Sequence, residues 1–158
     1  MLDDGQSRWA GRNSAKAAVR SRIEQEAEAM RIDEGNAKAE VEAAFAAYER
    51  ALVANDVAAL DRFFLPSEGV IRYGATENLY GYEAIKAFRA ARSPQGLARS
   101  LEKTRIVAYG RDCAIAATLF RRDNAPGKIG RQMQTWIRFP EGWRIVAAHV
   151  NVIDEPAS

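Results

Sequence analysis

Three side chains of this sequence could do acid–base or electrostatic chemistry if a fold gathered them: Tyr48, Arg72 and His149. Arg72 sits between Ile71 and Tyr73 in a short apolar run, sharing a face with Val70. A guanidinium keeps its charge when buried, so it must meet a carboxylate. That carboxylate is either internal, with Glu68 and Glu77 as candidates, or part of a ligand gripped through two parallel hydrogen bonds. Tyr48 falls in the apolar stripe of a helix. A phenol there either meets a backbone carbonyl or lines a pocket and donates a proton. His149, the sole histidine, interrupts Ile145-Val146-Ala147-Ala148-His149-Val150. It is either a satisfied core ring or a hydrogen-bonder and base that works near neutral pH.

Other chemistries find little support. With one histidine and one cysteine, a zinc site would have to lean on carboxylates. Gly127-Lys128-Ile129-Gly130 lacks the length and the following helix of a phosphate cradle, and no serine-centred nucleophile elbow is present. Catalysis would then be acid–base or electrostatic, with neither metal nor cofactor. The formal charge of +2 is too small to suggest nucleic acid. No apolar run reaches membrane-spanning length, and the polar start with Asp3 and Asp4 does not read as a secretory signal. Cys113 lies in an apolar strand and reads as inert core filler. A cytoplasmic protein is expected.

The elements must bring positions 48, 72 and 149 together. A chain of 158 residues, 47% apolar, suits one domain with a tail. Residues 1–36 read as a helical or partly disordered extension. Ser14 caps a helix over Ala15–Arg31 whose stripe (Val19, Ile23, Ala27, Met30) is thin, so it stays marginal unless it docks on a partner. The domain proper is placed at 37–155. Val41, Ala44, Phe45, Tyr48, Ala51 and Leu52 follow helical spacing, and Asp56 caps a second, short helix that Pro66 stops. Short strands follow at Val70–Gly74 and Asn78–Gly81, then a helix over Glu83–Arg92. Long strands are predicted at Arg99–Ala108, Ala114–Arg122, 131–139 and 143–153. Helices first and an antiparallel meander after make the class α+β, with helices on one face of a curved sheet and a space between them for a ligand.

Register selects what lines that space. A two-residue Glu141-Gly142 turn would pair Pro140 with Trp143, Trp136 with Ala147 and Gln134 with His149. Ile145, Ala147, His149 and Asn151 would then face inward. Arg144, Val146, Ala148, Val150 and Val152 would form an apolar outer face suited to a homodimer. A slip of one residue would put Met133 opposite His149 instead.

The sequence also carries a set of motifs in a fixed order. Phe45-x-x-Tyr48-Glu49-x-Ala51-Leu52 comes first, then Arg72-Tyr73-Gly74, Glu77-Asn78-Leu79-Tyr80-Gly81, Ala84-Ile85 and Phe88-Arg89. Gly130-Arg131-Gln132-x-Gln134-Thr135-Trp136 and Gly142-Trp143-Arg144-Ile145-Val146-Ala147-Ala148-His149-Val150 complete it. This set resembles the AtzH-like family, a SnoaL-like branch of the nuclear-transport-factor-2-like cone fold, over roughly residues 38–153. The resemblance implies a dimeric α+β cone. It also implies a place in the breakdown of carboxylated ureas, oxalurate and s-triazine ring products beside amidases. The activity it implies is a decarboxylating amidohydrolase step on a dicarboxylated urea. Tyr48 and Arg72 match the pocket residues that matter, and Gln134 and His149 match wall positions of the wider fold. Asn151 stands where relatives often have serine. Tyr48 and Arg72 are thus the catalytic candidates, and Asn78, Gln134, Trp136 and His149 the substrate-binding ones. The partner expected is a small anionic carboxylate. The alternative is a non-catalytic binding or dimerisation module that partners an amidase subunit.

Overall fold

The computed structural model describes residues 18–19, 31–33 and 35–155. Most of the expected extension, including nearly all of the Ala15–Arg31 helix, lies outside the described residues. Helix α1 spans Ala37–Val53, α2 Val57–Phe63 and α3 Tyr82–Ala91. Strands are β1 Ile71–Tyr73, β2 Asn78–Tyr80, β3 Ser100–Tyr109, β4 Cys113–Arg121, β5 Lys128–Phe139 and β6 Gly142–Asp154. The six strands form one sheet in the order β2-β1-β6-β5-β4-β3. Neighbours are antiparallel except β1 and β6, which run parallel.

Spacing of three and four in α1 buries Val41, Phe45, Tyr48 and Leu52 on one stripe against the sheet. Each such aliphatic or aromatic burial contributes about 1.5–3 kcal/mol. Asn55, with φ +51, ends the helix in the left-handed region, which asparagine tolerates. Asp56 Oδ1 then accepts from Ala59 N at 2.9 Å and caps α2, as its position predicts. Strand β4 alternates without a break, with Ala114, Ala116, Thr118 and Phe120 buried beneath the helices. Small residues at 108, 114, 116 and 148 let α1 lie close to the sheet and leave the bulk to Phe45, Tyr48 and Trp136.

Two local features carry the strands through. Gly130 pairs with Phe120 across β4 and β5, and a Cβ at Gly130 would come within 2.1 Å of that ring. The glycine thus gives the ring a floor to lie on. In β3 the register shifts between Glu102 and Arg105, and Lys103 takes φ +50 at this bulge. At the far end of the same edge strand the incoming chain adds a short bridge, Ile32 to Tyr109. Asp33 N donates to Ala108 O, and Ala108 N donates to Asp33 Oδ1, both at 2.9 Å.

The register of the last hairpin corrects the sequence-based expectation. Phe139 pairs with Gly142, so the turn residues are Pro140 and Glu141, and Gly142 takes φ +110. The pairing then runs to Trp136–Ile145, where β6 bulges: Thr135 pairs with Ala147, leaving Val146 as the extra residue. Beyond the bulge the parity is reversed. Ala148 faces inward opposite Gln134, and His149 lies opposite Met133 on the outer face. Ala148, Val150 and Val152 therefore leave the expected outer set, and Ala147, His149 and Asn151 leave the inner one.

Candidate functional site

Tyr48 points from the middle of α1 onto the inner face of β5. Its ring meets Phe63 and Trp136 edge-on at centroid distances of 5.9 and 6.4 Å, and Phe63 meets Trp136 at 6.1 Å. The phenol hydroxyl has no hydrogen-bond partner among the described residues, so it is not tied to a backbone carbonyl. Trp136 is buried, and its Nε1 donates to Gln134 Oε1 at 3.2 Å. That bond fixes which end of the Gln134 amide is free. Gln134 is 1% exposed, yet its Nε2 meets no acceptor. An orphaned donor this deep costs about 1–3 kcal/mol unless something satisfies it.

Arg72 faces inward beside Ala148 on the neighbouring strand, with its side chain 13% exposed. Its Nη1 donates to Glu77 Oε1, and its guanidinium lies over the Phe88 ring at 5.1 Å. Of the two internal partners read from the sequence, Glu77 is the one used. Only Nη1 is engaged, and among the described residues no acceptor meets Nε or Nη2, so the fork keeps an open side. Thr76 N and Oγ1 donate to Glu77 Oε2 at 3.2 and 2.9 Å. Burial alone would raise the Glu77 carboxyl. The hydrogen bonds from Arg72 and Thr76 outweigh it and hold the group below its ordinary 4.5. A depressed folded value stabilises the fold above the unfolded pKa, and that contribution is lost as pH falls through the folded value. Glu77→Gln should therefore lower the urea midpoint at pH 7, and the gap to wild type should close on acidification below pH 4.5.

Three further arginines converge here. Arg89, at the end of α3, is buried, pairs with Asp61 at 3.3 Å and lies over Phe64 at 4.3 Å. Arg92 caps α3, and its Nη2 donates to Asn55 Oδ1 at 3.0 Å. Arg122 follows β4 and lies over Phe120 at 5.2 Å. Burial pushes the Arg92 guanidinium below its usual value. The Tyr48 phenol opposes this, while Arg89, Arg72 and Arg122 add to it, so these groups lie within electrostatic reach of one another. Arg122 is lowered first by burial and then by Arg99. Arg99 is itself clasped. Its Nε and Nη2 donate to Glu49 at 3.0 and 2.6 Å, and Gln132 bridges the pair at 2.9 Å to each.

The inner face thus brings together Tyr48, Arg72, Gln134 and Trp136. It does not bring in the other two candidates. His149 is exposed on the outer face, edge-on to Tyr73 at 6.2 Å. Asn78 pairs with Tyr73 and is exposed on that same face. His149 also lines a groove of about 440 Å³ there, with Lys103, Arg105, Arg131, Met133 and Asn151. The sequence reading missed Arg89, Arg92, Arg99 and Arg122. A signal existed for two of them: Arg122 continues the 114-116-118-120 parity of β4, and Arg92 falls seven residues after the buried Ile85. Among the described residues no group of three or more His, Cys, Asp or Glu side chains is placed to hold a metal ion. No helix among them is long and apolar enough to cross a membrane.

Comparison with known proteins adds the lineage. The AtzH-like family model matches residues 30–156. A crystal structure of a protein of unknown function from the DUF3225 family of Pectobacterium atrosepticum is 54% identical. The match covers 78% of this chain and 95% of that one, with a TM-score of 0.76. A cystatin-like fold protein from Burkholderia xenovorans is 43% identical over 80% of this chain and 99% of its own, with a TM-score of 0.77. A nuclear-transport-factor-2-like protein of unknown function from Pseudomonas putida shares the fold at 17% identity, covering 73% and 85% of the two chains, with a TM-score of 0.62. Among curated proteins none matches this chain.

Proposed function

The chain belongs to the AtzH-like family, and on that premise we propose that its inner face binds a small carboxylate-bearing urea and cleaves it as a metal-independent decarboxylating amidohydrolase. One observation carries the reading. The buried side-chain atoms left without a hydrogen-bond partner among the described residues, Gln134 Nε2 on the inner face and Arg89 Nη2, Arg92 Nε, Arg122 Nε and Arg138 Nε, are all hydrogen-bond donors. An occupant that satisfies them must be rich in acceptors, as a carboxylated urea is.

In this reading the open side of Arg72 receives a carboxylate through charge-assisted hydrogen bonds. Gln134 Nε2 donates to the urea carbonyl. Tyr48, with its hydroxyl unclaimed by the protein, donates a proton to the N-carboxylate nitrogen as its bond to the carboxylate carbon breaks; the bonding pair stays on nitrogen, carbon dioxide leaves, and the phenolate regains its proton from solvent. The Phe63 and Trp136 rings beside it exclude water, which strengthens each polar contact. The direct test is to incubate the purified chain with a dicarboxylated urea and with oxalurate and to follow carbon dioxide and ammonia. Release of carbon dioxide from the dicarboxylated urea above the uncatalysed rate is expected, and no release of either product from either substrate would overturn the enzymatic reading.

The outer face supports a homodimer as the working form. Ile71, Tyr73, Tyr80 and Met133 are exposed there, apolar surface that a second copy of the chain could cover. If turnover is absent, the same face offers an amidase subunit a place to dock, which is the accessory reading. Cytoplasmic placement goes with either.

A further inference from the structure

We propose that Arg92 and Arg122 form a second anion subsite, apart from Arg72, that receives the far carboxylate of a two-acid ligand. The inference rests on the reading that the inner face holds an anion, and it adds which residues take the second charge. It comes from how the carboxylates are shared out. Arg72, Arg89 and Arg122 lie within electrostatic reach of Arg92, and Arg99 shares the Phe120 ring with Arg122; of these five guanidiniums three have their own counter-ion, Arg72 with Glu77, Arg89 with Asp61 and Arg99 with Glu49. Arg92 has only the neutral Asn55 amide, which orients its fork without neutralising it. Arg122 has no carboxylate and no hydrogen-bond acceptor for its side chain among the described residues. Each leaves a buried Nε unsatisfied.

A half-buried permanent cation without a counter-ion is unfavourable, and two that also repel each other are more so. The fold nonetheless holds both. Phe120, pinned over Gly130, is a rigid shelf with Arg99 at 4.5 Å and Arg122 at 5.2 Å. Glu49 takes up the charge of the first and leaves the second open. Arg92 is fastened at the other side by the α1–α2 turn through Asn55. Two uncompensated forks, one oriented by Asn55 and the other laid on Phe120, suit a planar carboxylate or N-carboxylate better than a diffuse polar group.

Titrating the full chain with malonate and with its monomethyl ester isolates the second charge on one carbon skeleton. The wild-type protein should bind malonate about tenfold or more tightly than the monoester, as expected of a charge-assisted pair. Arg122→Gln and Arg92→Gln should each erase most of that preference by weakening malonate far more than the monoester, and Arg122→Lys should restore part of it. Equal wild-type affinities, no binding of either acid, or a preference that survives in both glutamine variants overturns the subsite. The two proposals fail separately. A protein that prefers the diacid but turns over no urea keeps the subsite and loses the enzyme. One that cleaves a urea equally well with Arg92→Gln and Arg122→Gln keeps the enzyme and loses the subsite.

Discussion

Tyr48→Phe should lower kcat/KM on a carboxylated urea by about 10²–10⁴-fold, the usual scale for removing a positioned general acid. The phenyl ring keeps its edge contacts with Phe63 and Trp136, and the deleted hydroxyl has no partner among the described residues. Stability should therefore stay within about 1 kcal/mol of wild type, the scale of one hydrogen bond. The separation of these two readouts makes the variant informative. A loss of activity that tracks a loss of folding would mean Tyr48 is only packing. Arg72→Ala is the companion measurement. It removes the proposed carboxylate anchor from a strand of three residues near the sheet edge, so turnover should disappear while the protein still melts cooperatively. Full activity in Arg72→Ala would end its assignment as an anchor.

Glu49→Ala should give the largest stability loss, about 3–5 kcal/mol, because it strands a buried cation. The Arg99 side chain is 2% exposed and donates three hydrogen bonds to one carboxylate. Without Glu49 the guanidinium keeps only Gln132 and the Phe120 ring. Against a typical total of 5–15 kcal/mol, such a loss takes a large share of the fold's stability. Urea denaturation at pH 7 reads it directly. Removing both ends, as Glu49→Leu with Arg99→Met, should recover much of the loss, because a neutral pair leaves no charge unpaired. A Glu49→Ala midpoint within error of wild type would show that water reaches Arg99.

The elements were legible because their signals are local. Spacing placed Tyr48 on the buried stripe of α1, Asp56 declared the start of α2, and the expected hairpin register put Gln134 and Trp136 on the inner face, where they lie, although opposite Ala148 and Ile145 rather than His149 and Ala147. The face of His149 was not legible, because one extra residue reverses everything beyond it. A bulge at Val146 has no composition signal of its own: Val-Ala-Ala reads the same whether or not it bulges. The hairpin turn misled for a related reason. Glu141-Gly142 looked like the turn pair, but the glycine conformation was needed one step later, at the first paired position of β6. The parallel pairing of β1 with β6 is a long-range event, and no local pattern reports it. The arginine cluster was hidden differently. Arg72 stood out from its apolar neighbours and Arg92 and Arg122 carried a faint spacing signal, but only the fold reveals that these three, with Arg89 and Arg99, share three acids.

The left-handed Lys103 and the bridge at Ile32 bear on how copies of this chain could associate. A long border strand invites fibril-like growth, since its unpaired amides can recruit the same strand from another molecule. Here the bulge breaks the straight run in the middle of β3, and the incoming backbone occupies its tail. The opposite border, β2, is three residues long and offers little template. Lateral stacking of sheets is discouraged on both sides, which leaves the broad flat of the sheet for the homodimer proposed above, an arrangement that closes on a pair and stops.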